Sequence, residues 1–95
     1  MGLGPTPGGS FTALDISVAT VVKTTPGSIV TVNVLVQGST VGAVYDFAAT
    51  TGYTAANQVG TIPQLVGSYP MNSFPCFTAI LVVPGTGQTV SVAYS

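Results

Sequence analysis

Ile29-Val30-Thr31-Val32-Asn33-Val34-Leu35-Val36-Gln37 is the clearest segment of the chain. Val30, Val32, Val34 and Val36 recur with a period of two, the period of side chains that alternate across a β-strand. Thr31, Asn33 and Gln37 fall on the other side together with Ile29 and Leu35. A second face of mixed polarity predicts a strand partly covered by another surface.

Working outward from this strand, the same period continues in both directions. Upstream, Thr25-Pro26-Gly27-Ser28 reads as a turn, preceded by an imperfectly alternating run from Phe11 to Val22 that includes Leu14, Ile16, Val18, Val21 and Val22, read as one strand. Downstream, Gly38-Ser39 opens a connection to a third strand, Val41 to Phe47, with Val41, Ala43, Tyr45 and Phe47 on one face and Val44 and Asp46 on the other. Ala48 to Asn57 is the longest loop. Gln58 to Ile62 is a short strand stopped by Pro63, and Leu65 to Tyr69 another stopped by Pro70, because proline cannot donate to a ladder. Phe77 to Val83 is almost wholly apolar, as expected of a central strand buried on both sides. After the turn residues Pro84-Gly85-Thr86-Gly87, the alternation of Val90, Val92 and Tyr94 predicts a strand that pairs with the preceding run as a C-terminal hairpin. With 15 Val and 14 Thr and few strong helix formers, no helix of ordinary length is expected. The prediction is all-β: a small β-sandwich or jelly-roll-like domain of six or seven short strands over residues 11–95.

The first ten residues, with four Gly and two Pro, favour a flexible arm over an element with its own ladder. They also lack a basic segment followed by an apolar core, so a signal peptide is not expected and synthesis and assembly in a cytoplasm are. No apolar run approaches the ~20 residues that span a bilayer, which argues against a membrane partner.

Asp15, Lys23 and Asp46 are the only Asp, Glu, Lys or Arg residues, 3% of the chain against roughly 25% in ordinary domains. Yet 46% of the residues are hydrophobic and the mean hydropathy is +0.64, ample for a core. So little charge predicts a surface buried in contacts between subunits or on a partner; a monomer covered by Thr and Ser is the alternative. One basic residue cannot neutralise phosphates, so nucleic acid is excluded as a partner. Cys76, between Phe74 and Phe77, reads as a small hydrophobe, with a bond between two chains as the alternative.

Catalysis needs a titratable group and a partner to orient it, and the chain has no His, Glu or Arg. Asp15 and Asp46 lie on different strands with no motif around either, so no enzyme is expected. Neither cofactor nor metal is expected, because no His, Cys, Asp or Glu cluster has ligand spacing; two carboxylates leave only a weak case for calcium held between subunits. Gly8-Gly9 and Pro84-Gly85-Thr86-Gly87 lack the lysine and helix of a phosphate loop and read as turns. Tyr45, Tyr53, Tyr69 and Tyr94 read as core and interface aromatics in preference to a sugar-stacking platform.

Several segments recur together in a familiar order: Val44-Tyr45-Asp46, the Gly/Ala/Thr loop after it, Val59-Gly60-Thr61-Ile62-Pro63, Gly67-Ser68-Tyr69-Pro70, and the C-terminal stretch from Ile80 through Pro84-Gly85-Thr86-Gly87 to Val90-Ser91-Val92-Ala93-Tyr94-Ser95. Over about the C-terminal two-thirds, the chain resembles small virion structural proteins of tailed bacteriophages. It departs from the usual pattern at Pro75-Cys76, where a small or polar residue often precedes the apolar strand. The resemblance implies a capsid decoration (cement) protein that stabilises the head shell as a homo-oligomer, a trimer favoured, on the capsid surface of a virion. The implied partner is the major capsid protein or another virion protein. A head-fibre base or tail-associated subunit is the alternative, and a carbohydrate-binding adhesion module is the alternative of another class. The residues expected to touch a partner are Leu3, Pro5 and Pro7 of the arm and Tyr53 and Asn57 of the long loop.

Overall fold

The computed structural model describes residues 11–95; the arm expected over residues 1–10 lies outside the described residues. Eight strands follow one another: β1 (Phe11–Ile16), β2 (Thr20–Lys23), β3 (Gly27–Val36), β4 (Gly42–Tyr45), β5 (Gln58–Ile62), β6 (Gly67–Cys76), β7 (Ile80–Val83) and β8 (Thr89–Tyr94). Helical structure among the described residues is limited to one 3-10 turn, Ala55–Asn57, at the end of the long loop. The strands form two antiparallel four-stranded sheets of order β1-β8-β3-β6 and β2-β7-β4-β5. Successive strands mostly change sheet, and the two orders together are those of an eight-stranded jelly roll.

The core between the sheets is aliphatic. Ile16, Ile29, Val32, Val34, Val44, Ile62, Cys76, Ile80, Val82, Val90 and Val92 pack as one buried cluster. Each buried Val or Ile contributes roughly 1.5–3 kcal/mol of transfer free energy, so this cluster is the main source of stability. Cys76 belongs to it, as the small-hydrophobe reading expects.

Several sequence expectations are corrected, each by a specific device. The run Phe11 to Val22 is two strands, because the corner at Ser17-Val18-Ala19 carries the chain from β1, on β8, to β2, on β7. In β3 the register shifts between Ile29 and Thr31. That bulge resets the alternation by one residue, so Ile29 joins Val32 and Val34 in the core whereas Val30 is only half-buried. A second shift on the β8 side, between Val34 and Val36, leaves Val36 exposed. In β4, whose two faces the sequence left unassigned, Val44 is on the core face and Val41 is exposed.

β6 does not stop at Pro70; it runs to Cys76 through Pro70 and Pro75. It can do so because it lies at the edge of its sheet, with β3 as its sole partner, where a missing N–H need cost no ladder bond. Met71, Asn72 and Ser73 loop out opposite the single residue Val30, with Asn72 and Ser73 both at positive φ (54° and 57°).

The expected C-terminal hairpin does not form. β7 occupies the middle of its sheet with both edges taken, by β2 and β4, so the chain crosses the core at Pro84–Gln88 and β8 pairs with β1 and β3 in the opposite sheet. Ile80, Leu81 and Val82 are buried as expected of a central strand, but Phe77, Thr78 and Ala79 precede the strand as a loop. The strand count is therefore eight, one more than the seven runs expected, gained by the split of the first run into β1 and β2.

Candidate functional site

Because the strands are antiparallel, the connections gather at two ends. At one end the β3–β4, β5–β6 and β7–β8 loops meet around Gln88, a fully buried glutamine. Its Oε1 accepts from the Gly85 N–H (3.0 Å) and its Nε2 donates to the Pro63 carbonyl (2.7 Å). Thr86 N–H donates to Thr40 Oγ1 (2.9 Å) and Ser39 N–H to the Thr86 carbonyl (2.9 Å). Gly85 must be glycine here, since a Cβ would collide with the Thr40 carbonyl. This end is tied shut.

The other end holds an open cleft of about 320 Å3, walled by Asp46, Asn57 and Gln58 on one side and by Phe74, Pro75 and Phe77 on the other. Asp46 follows β4 directly and faces the β6–β7 connection. Its carboxylate accepts three backbone N–H groups, from Phe77 (2.8 Å), Thr78 (2.7 Å) and Ala79 (3.2 Å). Partial burial pushes its pKa up, but these three donors outweigh that and hold it below the ordinary aspartate value. With its lone pairs turned to N–H donors, the carboxylate is a clamp for the loop and is poorly placed to receive a cation. Among the described residues Phe77 is the most exposed large hydrophobic residue, at 78%, and Phe74 is exposed beside it.

The long loop is organised from within. Asn57 Oδ1 accepts from the backbone N–H (3.1 Å) and hydroxyl (3.2 Å) of Thr54, while the Asn57 carbonyl accepts from the Asp46 N–H (2.8 Å). Tyr53 lies against Tyr45, their ring centroids 4.5 Å apart at 42°. Tyr45 is the register partner of Leu81, so the loop helps cover the outer side of the central strand.

Of the residues expected to touch a partner, Tyr53 and Asn57 thus share one end of the sandwich, each with contacts inside its own loop, and Asn57 lines the cleft. Leu3, Pro5 and Pro7 lie outside the described residues. Asp46, Phe74 and Phe77 complete the cleft without having been singled out. Nothing local betrays them, because Asp46 meets its donors across more than 30 positions of sequence; scarcity of charge was the one available signal. Asp15, in the β1 bulge, belongs to the other sheet and is not brought to Asp46. Among the described residues no three His, Cys, Asp or Glu side chains gather as a metal site. Cys76 is the remaining polarisable group nearby, and burial, with the Asp46 charge second, pushes its thiol up to about 11. The cleft thus offers aromatic edges and amide groups, a contact chemistry. No protein-family model, no curated protein and no solved structure matches the chain.

Proposed function

We propose that this protein is a structural subunit of a bacteriophage virion, most specifically a capsid decoration or cement protein that binds the head shell as a homo-oligomer. The observation that carries this reading is the combination of an eight-stranded jelly roll with apolar side chains exposed at both ends and three charged residues in 95. Jelly rolls serve as viral capsid and lectin domains, an analogy of fold that needs a site to give it weight. Here the weight comes from the surface: Leu, Val and Phe side chains left in water with almost no charge suit burial against a repeated neutral partner. A shell presents its binding site many times, so an oligomer gains by repetition what one small contact lacks. The segments that resemble tailed-phage virion proteins fall in β4, β5, the first part of β6, β7 and β8, with the β4–β5 and β7–β8 loops.

The test is to locate the protein on the particle encoded with it, by gold-labelled antibody and a cryo-electron microscopy map. Label spread over the head facets is the expected result. Label at a single vertex or on the tail would reassign it to a head-fibre base or tail-associated subunit, and particles without label would remove the virion reading. A second reading, a carbohydrate-binding adhesion module, is favoured by the Tyr45–Tyr53 pair, at the same end of the sandwich as the open cleft though not lining it. Binding on a glycan array that disappears with Tyr53→Ala would select it.

A further inference from the structure

At the Gln88 end each loop joins strands of equal rank in the two sheets: β1 to β2, β8 to β7, β3 to β4 and β6 to β5. The sandwich therefore has two lateral edges, β1/β2 and β5/β6. Both carry exposed aliphatic side chains towards this end. On the first edge stand Leu14 (71% exposed) and Val18 (70%). On the second stand Leu65 (61%) and Val66 (60%), flanked by exposed Leu35, Val36 and Val41. Register places the two sets at one height along the strands, because Ile16 and Val34 both pair with Val90, and Val34 with Gly67. The second set is held firmly: Gln64 Nε2 donates to the Ser39 carbonyl (3.0 Å) and the Gly38 N–H to the Gln64 carbonyl (3.2 Å). No charged residue occurs from Phe47 to Ser95 or from Thr24 to Tyr45, so this patch is wholly uncharged; Asp15 is the one charge beside the other.

We propose that the two edge patches bind one another between copies of this chain, Leu14 and Val18 of one copy against Leu65 and Val66 of the next, in a closed ring whose axis runs along the strands. Aliphatic residues clustered on both edges, not scattered singly, mark interaction surfaces. Their placement makes them complementary to each other: a contact between two different patches repeats head to tail, and equal height lets the repeat close where a difference in height would wind it into a filament. Patches on opposite edges cannot both meet across one two-fold axis, so three copies make the smallest ring. β1 and β6 run in opposite directions, which would invite an antiparallel ladder between copies. The bulge at Leu14-Asp15, the looped-out 71–73 and the prolines at 70 and 75 interrupt such a ladder. The contact is accordingly made by side chains at one end. It rests on the oligomer proposed above.

The test compares single substitutions on the exposed patches. Wild-type protein should sediment as a closed oligomer, and Val18→Asp and Leu65→Asp should each raise the dissociation constant at least tenfold and yield the 9.5 kDa species, with β circular dichroism intact. Phe77→Asp, at the opposite end, should keep the oligomer. Should an Asp variant fail to fold, cross-linking decides: a chain carrying both Val18→Cys and Leu65→Cys should oxidise to a ladder, and neither chain with just one of the two added should, native Cys76 being buried. Covalent dimers from a chain with just one added cysteine, or Asp variants that keep the full mass, would overturn the proposal. A monomer that still decorates heads would remove the ring and leave the function standing; a ring that binds no head would do the reverse.

Discussion

Asp46 shows how one side chain can organise an end of this fold. Its three N–H donors all favour the ionised form, so the carboxylate stays charged in the folded state at pH values where an unfolded aspartate would begin to protonate. The sign follows: a lowered pKa contributes stability that is complete above about pH 4, the unfolded value, and is lost as pH falls through the folded one. Asp46→Asn should cost on the order of 1 kcal/mol at pH 7, because the site is partly solvated and one oxygen is still available to accept. Melting curves between pH 2 and 7 check this, and the variant should show a flatter acid limb than wild type. Gln88 is the opposite case, buried and satisfied at both atoms. Gln88→Leu keeps the volume but orphans the Gly85 N–H and the Pro63 carbonyl, so it should cost about 2–4 kcal/mol and lower the melting temperature by at least 8 °C. Cys76 should be inert to a thiol reagent at pH 8 in the folded protein and react at once in denaturant, as burial and its raised pKa require.

At the scale of elements, what could be read in the sequence was the period and what could not was its interruptions. β5 was legible to the residue, since Gln58–Ile62 ends where Pro63 removes a donor. The all-β class and the long loop were legible too, from Val and Thr abundance and a run of small residues. Bulges leave no such mark, because they depend on what the partner strand does. Plain alternation puts Val30 on the face of Val32 and Val34, but the shift after Ile29 exchanges it for Ile29. Ile29→Ala should therefore cost about 2–4 kcal/mol and Val30→Ala less than half as much, measured by chemical denaturation, the reverse of what the pattern alone orders. Likewise, a proline stops a strand only where the ladder needs its N–H, and edge position, which decides this for Pro70, is a property of the whole sheet. The candidate cleft was half legible: Tyr53 and Asn57 lie on a loop whose length drew attention, whereas Asp46, Phe74 and Phe77 come together only through the topology.

At the scale of the molecule, both four-stranded sheets are made from strands within residues 11–95. Among the described residues the core cluster runs from Ile16 to Val92, and β1 begins at Phe11, whose ring lies 5.9 Å from that of Tyr94. Phe11 itself stands at the Asp46 end, on the outer edge of a sheet and away from the proposed ring contacts. Ten residues rich in Gly and Pro reach at most roughly 30 Å when extended, enough to touch a neighbouring surface and too poor in apolar side chains to add much core. Deleting Met1 to Gly9 should accordingly leave thermal stability within about 1 kcal/mol and the oligomer mass per subunit count unchanged. Binding to the parent shell should weaken at least tenfold, equivalent to about 1.4 kcal/mol, if the arm is the attachment element. Melting temperature, sedimentation and co-sedimentation with undecorated heads separate the outcomes. Loss of folding would make the arm a missing part of the sandwich; unchanged shell binding would shift attachment to the loop Ala48 to Asn57 and the cleft it borders, where Phe77→Ala is the next substitution to measure.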